Sequence, residues 1–79
     1  MMGLDDEKRI YTIIGQNLKR LRCEKGMTQE EFAHKSTYSL GFIMNLESSS
    51  YHQSISLGTV WHFAKVLDVD IKEFFRPLD

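Results

Sequence analysis

Residues 28–47 read TQEEFAHKSTYSLGFIMNLE, two short helical signals separated by a tight turn. Thr28 with Glu31 three positions on is a capping box: the hydroxyl accepts a first-turn amide and the carboxylate reaches back to the cap. It opens a helix of about 28–35 whose inward residues are Phe32 and Ala33. After Ser36, Thr37 and Tyr38, a second cap at Ser39 starts a helix of roughly 40–47, where Ile43 and Leu46 share the face turned to the core.

Working outward, Ile10, Ile14, Leu18 and Leu21 recur at helical spacing, with Ile13 and Cys23 flanking them. The spacing predicts one amphipathic helix over about 6–25, stopped by Gly26. Gly15 inside that stripe costs about 1 kcal/mol relative to Ala and marks a place where another helix approaches closely. Downstream, Ser48 to Ser54 is polar and reads as a loop. Ser56 then caps a helix of about 57–67 with Leu57, Val60, Phe63, Ala64 and Leu67 as its apolar stripe. Asp70 and Glu73 offer a further capping box before Phe74 and Phe75, and Pro77 ends the structure. The expectation is an all-α fold of five helices in a single domain, residues 1–79.

Composition narrows the function classes. With 42% apolar and 27% charged residues the chain has the makings of a packed globule rather than a disordered segment. At 79 residues its core must be compact, or be completed by a second subunit. No apolar run reaches the ~18 residues of a membrane span, and Met1 to Lys8 is acidic, unlike a signal peptide, so a cytoplasmic protein is expected. The lone Cys23 excludes an internal disulfide and a zinc cluster, and reads as a filler at a partly buried helix position. His34, His52 and His62 are scattered with no second ligand at metal spacing; there is no nucleophile elbow or glycine-rich phosphate loop. Neither a cofactor nor catalysis is expected.

Net charge is −1, which alone argues against nucleic acid. Its distribution argues otherwise: residues 8–35 hold seven Lys and Arg against three Glu, whereas residues 36–79 hold three against five acids. Such a bipolar domain can turn one positive face to phosphate, although the same run would also serve as a solvated helix face.

Two short helices joined by a tight turn and framed by longer ones form a helix-turn-helix, whose second helix enters the major groove. The segments IGQNLKRLRCEKGMTQEEFAHKS, FIMNLE and SLGTVWHFAKVLDVDIKEFF, spanning about residues 15–75, resemble the phage repressor and Cro, or xenobiotic-response-element, type of that family. KGMTQEEFAHKS is similar to the pattern of restriction-modification controller proteins. The resemblance implies a lambda-repressor-like domain that binds double-stranded DNA as a homodimer on a palindromic operator and regulates transcription, by blocking or recruiting RNA polymerase.

Carried over by position, Gln29 would meet a backbone phosphate at a helix N-terminus, and Arg22 with Glu47 would form a largely buried ion pair between the first helix and the recognition helix. The residues expected at DNA are Thr28, Gln29, Lys35, Ser39, Leu40, Gly41, Met44, Asn45, Ser48, Ser49, Ser50, Tyr51 and His52. Asn45 can read adenine, Leu40 or Met44 can touch a thymine methyl, and Gly41 would permit close approach. Here the sequence departs from the family. Leu40, Gly41 and Phe42 stand where Arg, Gln, Ser or Thr are usual, and the Ser48–Gln53 loop is longer and lacks the usual cation. Thr37 replaces a turn Gly of positive φ, from which a distorted turn is expected. The apolar face leaves a second reading open, a protein-binding adaptor or antitoxin-like module. Trp61, Phe74, Phe75 and Leu78 are the expected dimer interface, setting paired recognition helices about 34 Å apart, or else they complete the monomer core.

Overall fold

The computed structural model describes residues 4–48 and 54–78, with side chains from Lys8 onward. Among the described residues four α-helices follow one another: α1 Leu4–Glu24, α2 Gln29–Ser36, α3 Leu40–Glu47 and α4 Leu57–Leu67. The fifth expected helix is a 3-10 helix, Ile71–Phe75. The Asp70–Glu73 capping box does not form there. The Asp70 carboxylate accepts from the Lys72 amide, two residues on, and Glu73 instead faces Arg76 at 3.3 Å and Arg20 at 3.6 Å. The described residues contain no strand.

Local chemistry explains the boundaries. Thr28 and Glu31 make the reciprocal capping box, and Ser39 and Ser56 accept from the amides of Phe42 and Thr59. Gly26, Thr37 and Asp68 follow α1, α2 and α4 in the left-handed conformation, and each closure returns two amides to carbonyls of the last turn. Thr37 therefore adopts the turn undistorted, at φ 64 and ψ 23. Its β-branched side chain bears the strain there, of order 1–2 kcal/mol, offset by its amide bonds to Ala33 and His34 and by its hydroxyl donating to the Ser36 carbonyl.

The core joins Ile14, Leu18 and Leu21 of α1 to Phe32 and Ala33 of α2, Ile43 and Leu46 of α3, Val60, Phe63, Ala64 and Leu67 of α4, and Phe74. Phe32 and Phe63 meet edge to face, centroids 5.0 Å apart. Several stripe members fall outside it. Ile10 is exposed, Cys23 is exposed rather than half-buried, and Leu57 is 67% exposed because it sits in the first turn of α4, beyond the helices that cover Val60 and Phe63. Phe74 is fully buried, so it belongs to the monomer core and not to an intersubunit face.

Three polar devices position the helices. Asn17, itself buried, donates to the carbonyls of Phe74 and Arg76 at 3.0 and 2.9 Å, tying the 3-10 helix to α1. Arg20 donates to the Asn17 carboxamide oxygen and to the Glu73 carbonyl, so this cation serves the fold. Gly15 lies against the Leu46 carbonyl, where any Cβ would overlap the main chain of α3. The close approach expected at this glycine is the crossing of α1 and α3.

The third device is the pair Arg22–Glu47. Arg22 Nε and Nη2 donate to Glu47 Oε2 and Oε1 at 2.8 and 2.9 Å, a two-bond fork between side chains only 9% and 2% exposed. Arg22 Nη1 donates to the Met27 carbonyl, and Gln16 Nε2 donates to the Glu47 carbonyl at 2.7 Å. The bond to Glu47 raises the Arg22 pKa above its ordinary value, against the opposing cost of burial.

Arg22→Ala leaves Glu47 buried without its partner and is expected to cost about 3–5 kcal/mol in denaturant titration; a loss under about 1 kcal/mol would reduce the pair to a surface contact. Gly15→Ala is expected to lower stability by about 1–3 kcal/mol, despite the roughly 1 kcal/mol gained in helix propensity, because the obstacle is main chain. A higher melting temperature for that variant would disprove the close crossing.

Candidate nucleic-acid interface

The helix-turn-helix is α2, the Thr37 turn and α3. Its turn is backed by α4. Tyr38 lies against Phe42 and Phe63, centroids 5.2 and 5.1 Å away, and its hydroxyl meets that of Thr59 at 3.1 Å. His62 Nε2 bonds the Ser36 carbonyl at 2.8 Å, and since a carbonyl only accepts, that nitrogen carries a hydrogen. The sequence carries no periodic signal for this packing, because it joins residues 21 or more positions apart, Ser36 and Tyr38 with Thr59, His62 and Phe63.

Burial along α3 divides its two faces. Ile43, Leu46 and Glu47 are buried; Leu40, Gly41, Met44 and Asn45 are exposed, with Met44 at 52%. These four lie on one outward stripe together with half-buried Ser48. Phe42 leaves the exposed set: it is half-buried against Tyr38. The outward stripe carries no charge, since Glu47, the one ionisable residue of α3, points inward.

The start of α2 adjoins the end of α3. Gln29 Nε2 donates to Glu47 Oε1 at 3.1 Å, so the carboxylate that holds Arg22 also fixes the Gln29 side chain. That bond has no counterpart in the sequence expectation; it uses one of the two carboxamide hydrogens and leaves the other able to donate. The main-chain amides of Gln29 and Glu30 belong to the first turn, where an α-helix offers no intrahelical acceptor and the helix dipole is positive. Thr28 commits its oxygen to the Glu31 amide and its own amide to the Glu31 carboxylate, so its polar groups serve the cap. The Thr28 amide, and next its hydroxyl, hold the Glu31 carboxyl below the usual carboxylate range, with a smaller pull from Lys35. Lys35 is exposed in the last turn of α2. Ser39 is exposed, its oxygen engaged as the α3 cap. Ser49, Ser50, Tyr51 and His52 lie outside the described residues.

A second surface lies away from α3. Leu57, Gly58, Trp61, Ile71 and Phe75 line an apolar groove between α4 and the 3-10 helix. Trp61 is 54% exposed, and Phe75 and Leu78 are exposed as well. Among the described residues no group of three or more His, Cys, Asp or Glu is placed to hold a metal ion, and no helix is long and apolar enough to cross a membrane.

Comparison with known proteins bears on this geometry. The helix-turn-helix family pattern matches residues 18–74, from the middle of α1 to the buried phenylalanine of the 3-10 helix. The chain is 34% identical over 67 residues to the uncharacterized HTH-type transcriptional regulator y4dJ of Sinorhizobium fredii, covering 85% of this chain and 84% of that protein. It is also similar to the crystal structure of the restriction-modification controller protein C.AhdI from Aeromonas hydrophila, with TM-score 0.72 and 29% identity over 82% of this chain and 96% of that one. The order of helices, the left-handed turn and the match over residues 18–74 agree: the chain belongs to the helix-turn-helix family.

Proposed function

We propose that this protein is a transcriptional regulator that binds double-stranded DNA as a homodimer on a palindromic operator, in the manner of a restriction-modification controller, and has no catalytic activity. The observation that carries the reading is the division of α3: an inner face locked by Ile43, Leu46 and the Arg22–Glu47 pair, and an outer face of Leu40, Gly41, Met44 and Asn45 left open. A helix held rigidly with one side free suits insertion into the major groove. Asn45 then supplies a donor and an acceptor for adenine, while Leu40 and Met44 supply apolar contact for thymine methyls. The first-turn amides of Gln29 and Glu30 and the Ser39 hydroxyl hydrogen are suited to phosphate oxygens.

Twofold assembly would use the groove face of Leu57, Trp61 and Phe75, with Leu78 at its edge. Exposed apolar surface of this kind is a cost unless a partner covers it. The regulator would then act on polymerase by blocking it or recruiting it from the bound site. A second reading is favoured by the exposure of Leu40 and Met44: the same stripe would bind a protein, as an adaptor or antitoxin-like module does.

Selection from random duplexes with purified protein is expected to enrich an inverted repeat. On that site Asn45→Ala should cost about 1–3 kcal/mol and relax one base position per half-site. The uncharged stripe implies a shallow salt dependence, with a log–log slope nearer about −3 than about −10. Absence of any enriched sequence, with Leu40→Asp abolishing capture of a protein partner, would instead establish the adaptor. For the assembly, sedimentation at micromolar concentration should give twice the 9.2 kDa chain mass, and Trp61→Glu should return it to one; a native protein that sediments as a single chain would remove the dimer.

A further inference from the structure

Gly15 and Gly26 have plain structural reasons, one at a helix crossing and the other at φ +71. Gly41 has neither. It is exposed in the first turn of α3, is not among the residues of positive φ, and a Cβ built on it would meet nothing within 4 Å. Glycine is among the poorest helix formers, so the fold gains nothing from it here.

Its position on the helix supplies the reason. Gly41 adjoins Leu40 in sequence and lies one turn from Met44 and Asn45, in the middle of the outward stripe. The absent side chain leaves the main chain open to solvent, with exposed Leu40 beside it in sequence and exposed Met44 and Asn45 one turn on. Glycine in such a place lets the backbone approach a ligand closely. The apolar neighbours along the stripe decide which ligand group suits this opening. A phosphate finds no cation on α3, and a hydrogen-bonding base edge would lose its water to two side chains that give nothing back. The one apolar group on the major-groove edges of the bases is the C5-methyl of thymine.

Resting on the reading that α3 enters the major groove, we propose that Gly41 is a specificity-determining residue whose missing side chain receives a thymine methyl. The methyl seats against main chain between Leu40 and Met44. The closer approach brings the Asn45 carboxamide to the N6 and N7 edge of an adenine in the same half-site.

The test uses the duplex that the native protein selects from a random pool, with each thymine replaced in turn by deoxyuridine, which lacks the methyl. Native protein should lose at least threefold in affinity at one thymine of each half-site. Gly41→Ala should melt at the same or a higher temperature and bind the thymine duplex at least tenfold more weakly. At that one position it should prefer deoxyuridine to thymine, since its own methyl now fills the gap. Binding of the thymine duplex within twofold of native, or an equal loss on both duplexes, would overturn the assignment. If native protein selects no duplex at all, the DNA reading itself fails and takes this assignment with it, an outcome distinct from a native protein that binds and a variant that is indifferent.

Discussion

The fork between the Arg22 guanidinium and the Glu47 carboxylate joins the last turn of α1 to the last residue of α3, and the orientation of α3 depends on it. A buried ion pair is a weak source of net stability, because the cost of taking both charges out of water offsets most of their attraction. Its value here is directional. The fork fixes the angle of the guanidinium, the Met27 carbonyl takes another of its donors, and Gln16 and Gln29 bond the carbonyl and the carboxylate of Glu47. With Gly15 allowing α1 to meet the Leu46 main chain, α3 cannot rotate without breaking several of these at once. Leu40, Gly41, Met44 and Asn45 are left on the outside as a consequence.

The same pair changes how the charge pattern is read. Seven cations between Lys8 and Lys35 suggest a positive face, yet Arg22 is neutralised by Glu47, and Arg20 is spent on Asn17, Glu24 and Glu73. What remains on the helix-turn-helix itself is Lys35 and the first-turn amides at the start of α2. On the proposed reading, an interface so poor in fixed charge would draw its affinity from shape and close contact more than from released counterions. The apolar character of α3 and the bare main chain at Gly41 would belong to that same solution.

Much of this was legible in the sequence, for identifiable reasons. Capping residues act within four positions, so Thr28, Ser39 and Ser56 placed the starts of α2, α3 and α4 to within a residue. Gly15 signalled the crossing of α1 and α3 because glycine inside an apolar stripe is costly without a neighbour. The misreadings share a cause in long-range packing. Phe74 and Phe75 are adjacent and alike in type, yet one is fully buried and the other exposed, and only the path of the 3-10 helix across α1 decides which. Leu57 fits the α4 stripe by period but lies past the end of the core, and Thr37 takes a glycine's conformation because the helices on either side determine it. The Gln29–Glu47 bond joins residues 18 positions apart and has no local signature.

The most direct test of the central claim is a nuclear magnetic resonance titration of isotope-labelled protein with its selected duplex, following every backbone amide. Large shifts should gather at Thr28, Gln29 and Glu30 and along residues 39–48, while Arg22 and the inner amides of α1 keep their positions. Shifts centred on α4 and the 3-10 helix, with residues 39–48 unmoved, would contradict it.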